Sequence, residues 1–311
     1  MFRLVSAGGD PGRDGPAGAA NGSPDEELVG EAAEAAPSVL VCGDTAEVLE
    51  RLPAGSFQTV VTSPPYWSLR DYGIAGQIGL EASLEDFVEA LTRVFDQVRR
   101  VLRDDGTLWL NIGDSYTSGG RTWRAPDRKN QARAMDVRPP TPPGLKPKDL
   151  IGVPWRLAFA LQAAGWYLRS DIIWNKPNCQ PESVRDRPTR SHEHVFLFSK
   201  SEKYYYDVSA VRGPNGRRQR SVWNVATQAI PEAGGHAATF PPALVEPCIR
   251  SGSRPGDLVL DPFAGTGTTG LVAAGLGRRF VAIELHPDYV ETARRRLVRA
   301  GFVEGARRRT C

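Results

Sequence analysis

Cysteine is sparse and scattered. Cys42, Cys179, Cys248 and Cys311 include no C-x-x-C pair, so their spacing suggests neither a zinc knuckle nor a disulfide framework. Long apolar runs are missing too. No stretch approaches the ~20 uninterrupted apolar residues of a membrane-spanning helix, and the first thirty residues lack a basic-then-apolar leader pattern. These absences argue against membrane and secretory classes and for a reducing cytoplasm. Lysine is scarce: only six of the 39 basic residues are Lys. The rest are Arg, whose forked guanidinium suits phosphate and guanine edges, although a G+C-rich genome produces the same bias. What is present is a chain of 311 residues, 41% hydrophobic and 24% charged, enough for one large core or two modest ones.

The formal charge of +3 conceals an asymmetry. Residues 115–150 carry eight basic against three acidic residues, and residues 176–220 ten against five, so the remainder is acidic. Cations gathered in two segments are what a polyphosphate partner requires, because each neutralised phosphate releases counterions. On charge alone, two solvated basic loops are an equally good reading.

Along the chain, residues 1–36 are rich in Gly, Ala, Pro and acids and read as a disordered tail. A domain is expected over 37–300 and a basic tail over 301–311. Val39–Val41 and Phe57–Thr62 read as strands, the second stopping at Ser63-Pro64-Pro65. From Ser83 to Arg103 apolar residues recur on one helical face, with Ser83 as N-cap. A buried strand is expected at Thr107–Ile112, then a helix capped by Asp149 and ending near Ala164, then strands at Tyr167–Trp174 and Val195–Phe198. The C-terminal part alternates strand (Leu258–Leu260), glycine loop, helix, strand (Phe280–Ile283) and a last helix with Pro287 at its first position. Such alternation predicts a mainly parallel α/β sheet.

Gly265-Thr266-Gly267-Thr268-Thr269-Gly270 satisfies G-x-G-x-x-G between a strand and a helix, and Glu284 stands nineteen residues after Gly265 at the next strand's tip. Glycines let backbone approach a ligand, and a carboxylate accepts the hydrogen bonds of a ribose diol, so a nucleoside cofactor is expected. Two cofactors fit the loop: a nicotinamide dinucleotide and S-adenosyl-L-methionine. The start of the loop favours the latter, since Asp261 can pair with an amino acid ammonium and Phe263 can cover a methionine chain.

Ser63-Pro64-Pro65-Tyr66 bears on a different chemistry. The exocyclic amino group of cytosine or adenine is a poor nucleophile because its lone pair is delocalised into the ring. Acceptors on its two N–H bonds favour a pyramidal nitrogen, which stabilises the transition state selectively. Ser63 Oγ and the Pro64 carbonyl can be those acceptors, Pro65 keeps that carbonyl out of ladder bonding, and Tyr66 offers a stacking face with Trp67 beside it. A proline-rich strand terminator with core aromatics explains the bare tetrapeptide equally well.

Thr62-Ser63-Pro64-Pro65-Tyr66-Trp67 together with Asp261-Pro262-Phe263-Ala264-Gly265-Thr266-Gly267-Thr268-Thr269 resembles the amino-directed DNA methyltransferases of prokaryotes, in the permuted β class where the catalytic motif precedes the cofactor motif. The likeness runs from Val39 to Leu297 and includes Gly43-Asp44, Leu108–Asn111, Ile172–Pro177 and His236–Leu244. It implies a Rossmann-like, circularly permuted S-adenosylmethionine-dependent methyltransferase sheet with inserted basic DNA-recognition segments. It further implies that Asp44 contacts the cofactor's adenine, and that Thr239, Phe240 and Pro241 begin a helix holding its methionine end. Thr268 belongs to the cofactor loop. Ser in the first motif position resembles the N4-cytosine branch, with N6-adenine as the alternative.

A paired amino group must be flipped out of the duplex to react. Double-stranded DNA is thus the expected partner, and a cognate restriction endonuclease a further one; monomer and homodimer stay open. Segments near 115–150 and 203–235 are the candidates to read DNA, with Arg121, Arg124, Arg128, Arg217, Arg218 and Arg220 available, and Trp67 and Lys176 nearer the pocket. Asn178-Cys179-Gln180 only superficially resembles a Pro-Cys-Gln nucleophile, so Cys179 is read as incidental. His192-Glu193-His194 has metal-ligand spacing but no implied third ligand, and no metal is expected. Tyr204–Tyr206 reads as an aromatic strand edge. A nicotinamide dehydrogenase would leave the Ser-Pro-Pro-Tyr strand end without a role, and a non-catalytic DNA-binding protein would not need both motifs intact.

Overall fold

The computed structural model describes residues 1–7, 38–117, 123, 139–228 and 240–302. Among the described residues nine strands form one sheet, in the order β1-β2-β9-β8-β3-β4-β6-β5-β7. They are β1 Phe2–Ser6, β2 Ser38–Cys42, β3 Phe57–Thr62, β4 Leu102–Ile112, β5 Tyr167–Asn175, β6 His192–Ser199, β7 Val222–Asn224, β8 Leu258–Asp261 and β9 Arg279–Glu284. The sheet is mainly parallel, as the alternation predicted; β6 alone runs against its neighbours β4 and β5.

Period-two alternation assigns each strand's side chains to two cores. Val39, Val41, Val60, Leu258, Leu260, Val281 and Ile283 face one side; Leu40, Val61, Val259, Phe280 and Ala282 face the other. Helices α1 (Thr45–Arg51), α2 (Leu84–Val101) and α3 (Val153–Ala163) cover the first core. The second lies under α4 (Pro242–Gly252), α5 (Thr268–Gly275) and α6 (Pro287–Arg299). The strongest periodicity, in α2, buries Leu84, Phe87, Leu91, Val94, Phe95, Val98 and Val101, and Ser83 caps it by accepting from Asp86 N at 3.0 Å. Such a cap is worth about 1 kcal/mol.

Three local expectations are corrected. The first residues are not all tail: Phe2–Ser6 pairs in parallel with β2 at the sheet edge and buries Val5 in the first core and Phe2 in the second, one on each face. Residues 8–37 and 303–311, the rest of the two expected tails, lie outside the described residues. Asp149 does not cap α3. The helix starts after Gly152, at φ 80°, with the Asp114 carboxylate accepting Gly152 N and Val153 N at 2.9 and 3.0 Å, whereas Asp149 accepts from Lys146 N in a preceding turn. Tyr204–Tyr206 is not a strand: Arg169 and Arg254 lie over the Tyr204 and Tyr205 rings, and Tyr206 packs against Trp109 at 6.3 Å.

Chain order and space diverge at the centre of the sheet. β8 and β9, from the C-terminal part, insert between β2 and β3. The connection from β3 runs over one face through α2, and that from β8 over the other through α5. Two parallel neighbours whose connections part in this way open a crevice at their carboxyl ends, where open α/β sheets bind ligands.

Candidate active site

Two buried hydrogen bonds join the end of β3 to the end of β8 and to the first turn of α5, spanning 199 and 208 residues of sequence. Thr62 Oγ1 donates to Asp261 Oδ1 at 2.7 Å, and Thr269 Oγ1 to the Val61 carbonyl at 3.1 Å. Thr45 Oγ1 adds a third link from β2's end, donating to the Pro262 carbonyl at 2.5 Å. The loops after β2, β3, β8 and β9 therefore open on one cavity of about 460 Å³. Asp44, Ser63, Pro64, Pro65, Tyr66, Lys176, Phe240, Phe263, Gly265, Thr268 and Glu284 all line it. The strand terminator and the glycine loop, read separately in the sequence, are two walls of one site.

On the glycine-loop side, Glu284 accepts Gly265 N at 2.7 Å on one oxygen and His286 N at 2.8 Å on the other. Each carboxylate oxygen keeps acceptor capacity for a hydroxyl. Burial pushes the carboxyl up to about 7; the two backbone donors oppose the shift and the nearby Asp261 adds to it. Gly265 has φ +52°, and a Cβ there would meet nothing within 4 Å, so its backbone faces open space. Gly267 serves packing instead. It has φ +77°, does not line the cavity, and a Cβ would stand 2.8 Å from that of Ala293 on α6. Asp44 caps α1 through Oδ1, which accepts Ala46 N at 2.8 Å. An acceptor pair at a strand tip, open backbone at Gly265 and the Phe263 ring fit an adenosyl group carrying an apolar chain.

Several expected contacts fall differently. Asp261 does not line the cavity: 1% exposed, it spends Oδ1 on Thr62 and on Phe263 N at 3.1 Å, while Oδ2 has no hydrogen-bond partner among the described residues. Burial pushes it up to about 6. It is the tie between the two loops rather than a wall. Pro241 is the N-cap residue of α4 and Phe240 lines the cavity; Thr239 lies outside the described residues. Trp67 is 3% exposed, its Nε1 donating to the Glu81 carbonyl at 3.1 Å, so it belongs to the core and cannot meet DNA there. Arg217 and Arg218 are exposed, off the cavity, on the segment leading into β7; Arg121, Arg124 and Arg128 lie outside the described residues.

On the opposite wall the sequence reading missed Glu193. Its Oε2 accepts from the Tyr66 hydroxyl at 2.9 Å and from Asn111 Nδ2 at 3.2 Å, and its Oε1 is ion-paired with Lys176. The Lys176 ammonium also lies 4.2 Å from the Trp174 ring, so Lys176 is a wall residue in an ion pair, not a surface cation. Burial, then the Glu193 charge, raises the Tyr66 phenol well above its ordinary range, so it stays a donor. Gly113 completes the setting, because a Cβ there would fall 2.6 Å from Tyr66 Cε2. The signal for Glu193 was alternation within His192-Glu193-His194. His194 turns the other way, to Asp171 at 2.9 Å, which leaves Glu193 facing the cavity. A second unread group, Tyr72 edge-on to Tyr289 at 6.0 Å with His286 beside it, closes the cavity near Glu284.

The model of the DNA methylase family of N6/N4 methyltransferases matches residues 57–295. The type II methyltransferase M.XycI of Xanthomonas campestris pv. cyanopsidis is 63% identical over 84% of this chain and 87% of its own length. Among solved structures, the PvuII cytosine-N4-specific DNA methyltransferase shares the fold, with a TM-score of 0.64 at 23% identity over 89% of this chain and 90% of that one. A DNA modification methylase of Thermus thermophilus, described as putative and complexed with S-adenosyl-L-methionine, has a TM-score of 0.60 at 28% identity over 84% and 93%.

Proposed function

The chain belongs to the DNA methylase family of N6/N4 methyltransferases, and on that premise we propose that it methylates the exocyclic N4 of cytosine in double-stranded DNA. The cofactor is S-adenosyl-L-methionine, which supplies the electrophilic methyl group when bound. Glu284 would hold the ribose hydroxyls, Phe263 and Phe240 the aliphatic chain, and Asp44 the adenine edge, with Gly265 giving the backbone clearance.

The observation that carries the reading is that Ser63, Pro64 and Tyr66 share one cavity with Phe263, Gly265 and Glu284. Ser63 Oγ and the Pro64 carbonyl take the two amino N–H bonds, freeing the nitrogen lone pair toward the electrophile. Tyr66 and the pocket behind it receive a base flipped from the duplex. Cytosine is favoured because Ser63 is an uncharged acceptor, in keeping with the cytosine-N4-specific PvuII enzyme of the same fold. The type II names of relatives such as M.XycI support a cognate restriction endonuclease as the functional partner, with the exposed Arg217 and Arg218 segment at the DNA backbone.

The test is transfer of tritium from labelled S-adenosylmethionine to unmethylated duplex DNA, followed by digestion to nucleosides. The expected product is N4-methyldeoxycytidine, lost in Ser63→Ala with cofactor binding kept. Label in N6-methyldeoxyadenosine would replace cytosine by adenine. Undiminished label in Ser63→Ala would overturn the role of the motif.

A further inference from the structure

Ser63 can take a proton-bearing amino group only if its own hydroxyl hydrogen points elsewhere. A serine hydroxyl can donate or accept, and nothing in Ser-Pro-Pro-Tyr decides which. The structure supplies a direction. The Glu193 carboxylate, ion-paired with Lys176, is the nearest acceptor for the Tyr66 hydroxyl, which donates to it across 2.9 Å, with Asn111 Oδ1 a longer second acceptor at 3.4 Å. That bond occupies the single phenolic hydrogen. The Tyr66 oxygen is left as an acceptor, and Ser63 Oγ stands 3.4 Å away, donating to it. The contact is long, as catalytic hydrogen bonds often are before substrate arrives. With its hydrogen committed to Tyr66, Ser63 Oγ turns lone pairs to the cavity. Asn111 steadies the far end, its Nδ2 donating to Glu193 Oε2 at 3.2 Å and to the His194 carbonyl at 3.1 Å.

We infer that Glu193 is a positioning residue that sets the hydrogen-bond polarity of the chain Glu193, Tyr66, Ser63, and so makes Ser63 an acceptor for the target amino group. The inference rests on the reading of Ser63 given above and deepens it. Glu193 acts through two hydroxyls, and Tyr66 has a second duty besides stacking. A hydroxyl aimed the wrong way would place a donor against the amino N–H, so the effect falls on the methyl-transfer rate and not on cofactor binding. Lys176 serves the chain indirectly, through its ion pair with Glu193 Oε1.

The experiment is single-turnover methyl transfer, enzyme in excess over unmethylated duplex DNA, with S-adenosylmethionine and DNA affinities measured in parallel. Glu193→Gln and Tyr66→Phe should each slow transfer on the order of tenfold to a hundredfold, the range a lost hydrogen bond to a charged group supplies. Both affinities should stay within about twofold. Two double variants separate polarity from mere support. Tyr66→Phe with Glu193→Gln should be no slower than the slower single variant, and Glu193→Gln should have no further effect on the residual rate of Ser63→Ala. Tyr66→Phe keeps the ring against Gly113, so it decides the matter should Glu193→Gln lose its near-ultraviolet circular dichroism. Full-rate transfer by Tyr66→Phe, or multiplicative losses in the double variants, would overturn the inference. Full-rate transfer by Ser63→Ala would instead overturn the proposed function beneath it.

Discussion

If Glu284 holds the ribose as proposed, stability and cofactor binding pull in opposite directions there. An exposed glutamate titrates near 4.5, and burial raises Glu284 to about 7. The difference of about 2.5 units corresponds to roughly 3 kcal/mol at 1.36 kcal/mol per unit. The folded protein holds the proton more tightly than the unfolded chain between about 4.5 and 7. This group's contribution to stability therefore falls as pH rises through that window, and above it the folded state carries the full cost. A ribose diol donating to the carboxylate needs the ionised form, so cofactor affinity should rise with pH over the same range and level off above about 7. Below that, affinity should fall about tenfold per unit. Near pH 7 about half of the carboxyls are protonated, so binding should expel on the order of half a proton, read by calorimetry in buffers of different ionisation enthalpy. Glu284→Gln removes the ionisation cost but turns one acceptor into a donor facing the Gly265 or His286 N–H, at about 1–3 kcal/mol. These offset, so the Tm at pH 8 should move little while cofactor affinity drops about a hundredfold and loses its pH slope. A wild-type affinity that is flat from pH 5.5 to 8, or that strengthens on acidification, would refute the assignment.

Three further outcomes follow from the same geometry. Gly113→Ala drives a methyl group into the Tyr66 ring, 2.6 Å from Cε2, so methyl transfer should fall at least about tenfold with cofactor affinity intact, in a filter-binding assay beside calorimetry. Thr62→Val leaves Asp261 buried without its 2.7 Å donor and should destabilise by about 1–3 kcal/mol. Because Asp261 is neutral below about 6, the loss should be larger at pH 8 than at pH 5 in denaturant unfolding; an equal loss at both would count against an ionised Asp261. Gly267→Ala meets both a positive φ and the Ala293 methyl, and should cost about 1–3 kcal/mol of stability, measured by thermal unfolding, without entering the cavity.

Much of the scaffold was legible because the patterns responsible are local. The Ser83 cap, the α2 face, Pro287 at the start of α6 and the apolar runs of β3, β8 and β9 depend on side-chain period and on backbone groups a few residues apart. Where the reading failed, a distant group decided. Asp149 looked like a helix cap, but the orphan N–H groups at Gly152 and Val153 are satisfied by Asp114, from the loop after β4. Phe2–Ser6 looked like tail because so short an apolar run carries little weight until a sheet edge receives it.

The candidate site divides in the same way. Residue types and spacing within Ser63–Tyr66 and within Asp261–Glu284 suggested an amino-group acceptor and a nucleoside cradle, because each motif's chemistry is carried by adjacent residues. Whether the two meet, which of Asp261 and Glu284 faces the cavity, that Trp67 is core and that Glu193 and Lys176 are wall were settled by the order of strands in space. β8 and β9 insert between β2 and β3, so residues some 200 positions apart share hydrogen bonds that no local pattern encodes. Proximity across a sheet is a property of how strands pair, and a single linear sequence records side-chain period but not pairing partners.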